Sequence, residues 1–257
     1  MAERPDHGAR QGGFAGTQVA FEENDQPRHQ QWRQCLAQSK SRSLIGQLKN
    51  GGNIGAMHDQ DSTVDYAALK EKIREAGKQL GFAAVGVARA EPGPAVEKLR
   101  EWLAAGCHGE MDYMARHAEL RADPQQLHPG TLTVISVAID YLPHRRSADQ
   151  AHQAAISRYA QGRDYHKLIR SRLQKLANAI TDLTGPFGYR VFSDSAPVME
   201  VEFARQAGLG WRGKHTLLLS KQGSWRFLGE IYTDLPLPAD EPIEEHCGTC
   251  TACIDVC

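Results

Sequence analysis

The run LTVISVAIDYL, from Leu132 to Leu142, anchors any fold open to this chain. It is rich in β-branched residues and reads as the strongest strand. Around it, helical and strand periods alternate. VDYAALKEKIREAGKQLG has a helical period with Gly81 as its stop, and FAAVGVA (Phe82–Ala88) reads as a buried strand. AVEKLREWLAAG predicts a helix ending at Gly106. RDYHKLIRSRLQKLANAITDLTG predicts a long helix, capped by Asp164, with Tyr165, Ile169, Leu173, Leu176, Ile180 and Leu183 on one face. YRVFSD (Tyr189–Asp194) predicts a short strand, and VMEVEFARQAG a helix ending at Gly208. HTLLLS and WRFLGEIYTDL predict two strands joined as a hairpin by Lys221-Gln222-Gly223-Ser224. The class is α/β (α+β): a mixed α/β domain followed by the start of a small cysteine-rich module.

Three segments are expected. Residues 1–56 hold eight Gln and eight Gly with few aliphatic residues and no sustained period, and read as a disordered extension or a mis-assigned start before Met57. Residues 57–240 form the α/β domain, and residues 241–257 open the cysteine-rich module. No apolar run approaches the roughly 18 residues of a membrane helix, and the N-terminus lacks the apolar core of a secretory signal. The expectation is a cytoplasmic protein without a membrane partner, whose thiols stay reduced.

Four of the six cysteines lie in the last eleven residues as C-x2-C-x2-C-x3-C: Cys247, Cys250, Cys253 and Cys257. Two-residue gaps let three thiolates converge on one small inorganic core. In two-cluster ferredoxins the fourth Cys of such a run serves the other cluster. A zinc site is the alternative, but zinc ligands usually come as two pairs separated by a longer gap. The spacing therefore favours 4Fe-4S ligation, and it predicts at least four more cysteine ligands beyond this sequence. Cys107 stands alone and reads as a buried structural thiol.

Three further stretches carry candidate chemistry. FSDSAPVME places Asp194 at the C-terminal end of a strand, where ligands sit in open α/β sheets, or where a residue caps the next helix. SRYAQGRDYHK concentrates Arg158, Tyr159, Arg163, Asp164, Tyr165 and His166, of which the cap role of Asp164 explains only one. AGLGWRGKH (Ala207–His215) follows a helix rather than a strand, so it is not a dinucleotide fingerprint. Its Lys214 and His215 could meet an anion, or the stretch is a helix cap and turn. Formal net charge is −1, yet Tyr141–Arg190 holds nine Lys or Arg against three Asp, a local balance of +6. Such a stretch suits a polyanion or is a solvated helix face.

Taken together, HGEMDYMARHAELRADP, HPGTLTVISVAIDYLP, SRYAQGRDYHKLIRSRLQKL, DSAPVMEVEFARQAGLGWRGKHTLLLS, FLGEIYTDLPLP and CGTCTACIDVC closely resemble the bacterial epoxyqueuosine reductase family. They run in family order over about three quarters of the chain. The resemblance implies a cobalamin-binding domain followed by a ferredoxin-like module with two 4Fe-4S clusters. It implies reduction of epoxyqueuosine to queuosine at the tRNA wobble position by cob(I)alamin, the last step of that modification. The implied partners are tRNA carrying epoxyqueuosine and an electron donor protein or reductant, with the enzyme a monomer. Residue by residue, it makes Asp194 the proton donor and a cobalamin contact, with Arg121, Ser157, Lys214, His215, Leu218 and Leu228 as further cobalamin contacts. Val201 stands where many members have Arg. Competing readings are a cobalamin and iron–sulfur reductase of the reductive dehalogenase type, a non-catalytic iron–sulfur electron carrier, and a zinc-dependent tRNA-binding protein.

Overall fold

A computed structural model describes residues 64–141, 157–160 and 162–256. The expected N-terminal extension, Met57, Cys35, Arg145, Arg146 and Cys257 lie outside the described residues. Those described belong to one compact unit, Asp61–Cys257.

The elements follow in the order α1 (Tyr66–Gln79), β1 (Ala84–Arg89), α2 (Ala95–Ala104), α3 (Asp112–Arg116), α4 (Ala118–Ala122), α5 (Pro124–Leu127) and β2 (Thr133–Asp140). After a 3-10 turn (Arg158–Ala160) come α6 (Tyr165–Thr184), β3 (Tyr189–Phe192), α7 (Glu200–Gln206), β4 (Trp211–Arg212), β5 (Leu218–Leu219), β6 (Arg226–Thr233) and α8 (Ala252–Asp255). Local chemistry sets the boundaries. Asp65 caps α1 by accepting from the N–H groups of Ala67 and Ala68, both at 3.0 Å. Asp164 caps α6 by accepting from His166 N–H at 3.0 Å.

Four strands form one antiparallel sheet in the order β1-β2-β6-β3. The run that anchored the sequence reading is central, and seven of the eight β2 residues are buried, because the sheet is covered on both faces. One face carries α1 and α6, through Leu69, Ile73, Ile169, Leu173, Leu176 and Ile180. The other carries α7 and the Gly-rich loop, through Phe203, Ala204, Ala207 and Leu209 packed on Ala138, Phe192 and Tyr232. At Gly86 of β1 an added Cβ would lie 2.1 Å from the Ala207 carbonyl oxygen, so only glycine lets the sheet reach the end of α7.

Asp240, in the segment after β6, fastens that segment to the outer rim of β1. Its backbone N–H donates to Val87 O at 2.8 Å, and its Oδ2 accepts from Val87 N–H at 2.8 Å. Lys70 Nζ pairs with Oδ1 at 2.8 Å, and Arg74 joins them. Burial would raise the Asp240 carboxyl, but these two cations and the Val87 amide hold it below the usual range.

Four expectations are corrected. HTLLLS does not form a hairpin with WRFLGEIYTDL: only Leu218–Leu219 is strand, and it pairs back onto Trp211–Arg212, while β6 lies between β2 and β3. Leu183 is exposed, because the buried stripe of α6 ends at Ile180, one turn before the helix runs out past the sheet. Cys107 is exposed rather than buried, in the turn after α2. The rule placing ligands at strand ends of parallel sheets does not apply to this antiparallel one.

Candidate active site

Asp194 follows β3 in a loop, with φ of +54°. That left-handed conformation is uncommon outside glycine, though Asp tolerates it better than most residues. It does not cap the next helix: α7 starts at Glu200, and its cap, Met199, makes no side-chain capping bond. The Asp194 carboxylate is instead held by α6. Tyr165 donates its hydroxyl to Oδ2, and His166 Nε2 lies 2.9 Å from the same oxygen. The other ring nitrogen of His166 lies 2.9 Å from Asp164 Oδ1, so the imidazole bridges two carboxylates. Both polar tips come from the first turn of α6, which the Asp164 cap fixes.

Two donors converge on Oδ2, while Oδ1 accepts no bond among the described residues. Asp194 therefore presents one oxygen outward and keeps the other tied to its supports. Arg170 donates to Ser195 Oγ at 2.8 Å and steadies the same loop from α6. The Tyr165 hydroxyl is pushed up by burial and by its bond to Asp194, so it stays a donor.

Beside the carboxylate runs a row of aromatic rings. Tyr165 stacks between His166, at 4.0 Å between centroids, and Phe227, at 3.9 Å and 5°. Phe227 stacks on Tyr141 at 4.3 Å, which meets the edge of Trp225, and Arg158 lies over Trp225 at 5.0 Å. Behind Asp194 lie two more carboxyls. Glu200 titrates near 7, raised by burial of its carboxyl and by the charge of Asp194, with the Asp194 amide and His166 opposing. Glu230, at the centre of β6, is fully buried and pushed well up by burial and by Glu200.

The other expected residues fall into separate groups. Leu218 and Leu228 share the cluster under α7, Leu218 buried and Leu228 half-buried. Lys214 Nζ donates to Gly248 O at 2.9 Å and Cys250 O at 2.8 Å, which ties the Gly-rich loop to the cysteine turn. His215 is exposed, and its Nδ1 accepts from Leu217 N–H at 3.1 Å. Between these loops lies an open cleft of about 530 Å³, lined by Lys98, Arg212, Gly213, Lys214, Thr216 and Cys247. Ser157 is exposed at the 3-10 turn. Arg121 is half-buried and donates to His117 O at 3.3 Å; no hydrogen bond joins it to the Asp194 cluster among the described residues.

The cysteine turn and the Gly-rich loop lie on the exposed side of these groups. Cys247, Cys250 and Cys253 are free thiols, the soft donors that iron–sulfur cores take, in a turn closed by Cys250 N–H donating to Cys247 O at 2.8 Å. Among the described residues no three His, Cys, Asp or Glu side chains converge to hold an ion, so the thiols stand open rather than gathered. The loop from Gly213 to Leu217 leaves Leu217 exposed and holds Thr216 at φ +76°.

Sequence reasoning singled out Tyr165 and His166 but gave them no role. It missed Glu200, Glu230 and the row of Phe227, Tyr141 and Trp225. The RDYH string was the only signal for the first pair. Nothing local marked the rest, which the sheet register brings together.

The family model described as Epoxyqueuosine reductase QueG, DUF1730 matches residues 121–195, from Arg121 through β2 and α6 to the Asp194 loop. The epoxyqueuosine reductase of Pseudomonas aeruginosa is 53% identical over 205 residues, covering 77% of this chain and 57% of its own length. The solved epoxyqueuosine reductase of Streptococcus thermophilus superposes with a TM-score of 0.64 at 30% identity, over 73% of this chain and 52% of its own. A crystal structure of epoxyqueuosine reductase with an epoxyqueuosine-modified tRNA-Tyr stem loop superposes with a TM-score of 0.63 at 26% identity, over 73% of this chain and 51% of its own. The chain thus spans about half the length of the relatives it matches. Over that shared half, the chain belongs to the epoxyqueuosine reductase family.

Proposed function

We propose that this chain carries the catalytic, cobalamin-facing part of an epoxyqueuosine reductase, which turns epoxyqueuosine into queuosine at the wobble position of tRNA. The observation that carries this is Asp194: a carboxylate in a left-handed turn, held on one oxygen by Tyr165 and His166, with the other facing out beside an aromatic row. Loss of the epoxide oxygen consumes two electrons and two protons and yields an alkene and water. A bound cobalamin would supply the electron pair, fed one electron at a time through two 4Fe-4S clusters from an external reductant.

Lys214, His215, the Leu218 backbone, Leu228, Arg121 and Ser157 would hold the cobalamin, and Cys247, Cys250, Cys253 and Cys257 would ligate the clusters. Asp194 gives a proton from Oδ1 to the alkoxide left when the epoxide opens. His166, bridging Asp194 and Asp164, holds the Asp194 carboxyl in place. The aromatic row beside Asp194 offers a flat face to a base. Such an enzyme acts on tRNA in the cytoplasm.

The test is single turnover of full-length protein, reconstituted anaerobically with iron, sulfide and cobalamin, on tRNA bearing epoxyqueuosine. Queuosine should form, read by mass spectrometry of digested tRNA. Asp194→Asn should keep the cobalamin spectrum and lose on the order of 10² or more in rate. A cobalamin-loaded parent enzyme that leaves epoxyqueuosine unchanged sinks the proposal.

A further inference from the structure

Trp225 closes the aromatic row at its outer end. It stands 40% exposed just before β6, nearly perpendicular to Tyr141 at 5.8 Å between centroids. Arg158, from the 3-10 turn ahead of α6, lays its guanidinium over the indole at 5.0 Å. Tyr159, next in that turn, is 54% exposed. An exposed tryptophan beneath an arginine is by itself an ordinary surface contact. Here it continues a row that leads to the reactive carboxylate. Tyr141 stacks on Phe227 at 4.3 Å, Phe227 on Tyr165 at 3.9 Å, and Tyr165 donates to Asp194. Tyr165 and Phe227 each stack against two neighbours, so the surface open to a further ring lies at the Trp225 end.

What such an end takes follows from the substrate, and this step rests on the function proposed above. An anticodon is a single-stranded loop, whose bases can leave their own stack and lie on aromatic side chains or guanidinium planes. Stacking of this kind tolerates any base, because each has a flat face. The wobble nucleotide brings its epoxide to Asp194, and the strand must continue away from there. The row leads from Asp194 to a ring and a cation, the two groups that the base and the phosphate of a nucleotide each favour. Arg163, exposed between that turn and α6, adds a second positive charge to the same stretch of chain.

We propose that Trp225 and Arg158 form a subsite for the unpaired nucleotide next to the wobble position. Its base stacks on the indole, and its phosphate lies against the guanidinium. The subsite reads an unpaired nucleotide rather than a particular base, so it contributes affinity and alignment. Trp225 touches no reacting atom and is a positioning residue.

The test uses the full-length holoenzyme and synthetic anticodon stem loops carrying 2-aminopurine on the 5′ or the 3′ side of the wobble position. On binding to the parent, the fluorescence of one of these probes should fall as its base stacks. Trp225→Ala should abolish that quenching and weaken stem-loop binding roughly five- to 100-fold, while Trp225→Phe keeps most of both. In turnover, KM of Trp225→Ala should rise by a larger factor than kcat falls, the mark of lost binding rather than lost chemistry. Arg158→Gln should lower the slope of log affinity against log salt by about one. A parent that quenches neither probe, or a Trp225→Ala protein that quenches and binds as the parent does, overturns the proposal. So does a Trp225→Ala protein that no longer takes up cobalamin, because the indole then serves the cofactor or the fold. Failure of the function itself looks different: the parent loads cobalamin and leaves epoxyqueuosine intact, whatever the probes report.

Discussion

Asp194 and Glu230 carry the same carboxyl group in opposite surroundings. One sits in a solvent-facing turn with two donors on a single oxygen; the other sits among aromatic rings with none. Burial makes the Glu230 acid weaker in the folded state than in the unfolded chain. Between those two pKa values the folded state holds a proton that the unfolded state has lost, so stability falls as pH rises. The slope is at most about 1.4 kcal/mol per pH unit for one group. Glu230→Gln has no such proton to lose. Its stability relative to the parent should therefore grow from pH 5 to pH 8, measured by urea denaturation at constant ionic strength. A difference independent of pH would mean that Glu230 is ionised inside the fold. Asp194 was legible as a strand-end acid in DSAP, and the resemblance gave it a task. Glu230 was not legible. In FLGEIYTD it occupies an alternating position that reads as the wet face of a strand, and only the helix packed on that face buries it.

Among the elements, α7 and β1 depend on each other most closely. Gly86→Ala would put its Cβ 2.1 Å from the Ala207 carbonyl oxygen and 2.7 Å from Leu209 Cδ1. The backbone cannot yield as a flexible side-chain tip would. The expected cost is roughly 1–3 kcal/mol, read as a lower midpoint in chemical denaturation. Helix α6 was readable because its apolar stripe, cap and length agree. The hairpin was misread because the KQGS turn signal is real but local. Ser220 and Gly223 do bridge there, yet register beyond a turn is decided by which strand offers a free edge. Leu218–Leu219 found one in Trp211–Arg212, while β6 was already taken by β2 and β3.

Across the whole molecule, charge is nearly balanced, so any affinity for a polyanion must be local. The basic stretch divides on inspection. Arg170 holds Ser195, Arg172 donates to Gly81 O and Arg190 to Leu127 O, so these serve the fold. Arg163, Lys167 and Lys175 are exposed on α6 and its approach, with Lys167 Nζ 4.0 Å from Asp164 Oδ2. Reversing Lys167 and Lys175 to Glu should weaken tRNA binding and flatten the plot of log affinity against log salt by about one per lost phosphate contact. An unchanged slope, measured by filter binding across a salt series, would leave these lysines as solvated surface. From sequence the stretch was visible only as a sum, and the division into fold-bound and exposed cations needed the fold. Asp240 has a consequence of its own at this scale. The rim of an edge strand, with open amide and carbonyl groups, templates another copy of the chain and seeds aggregation. By occupying both the donor and the acceptor of Val87, and by bringing two cations to the same place, Asp240 blocks the middle of the β1 rim against strand-by-strand growth.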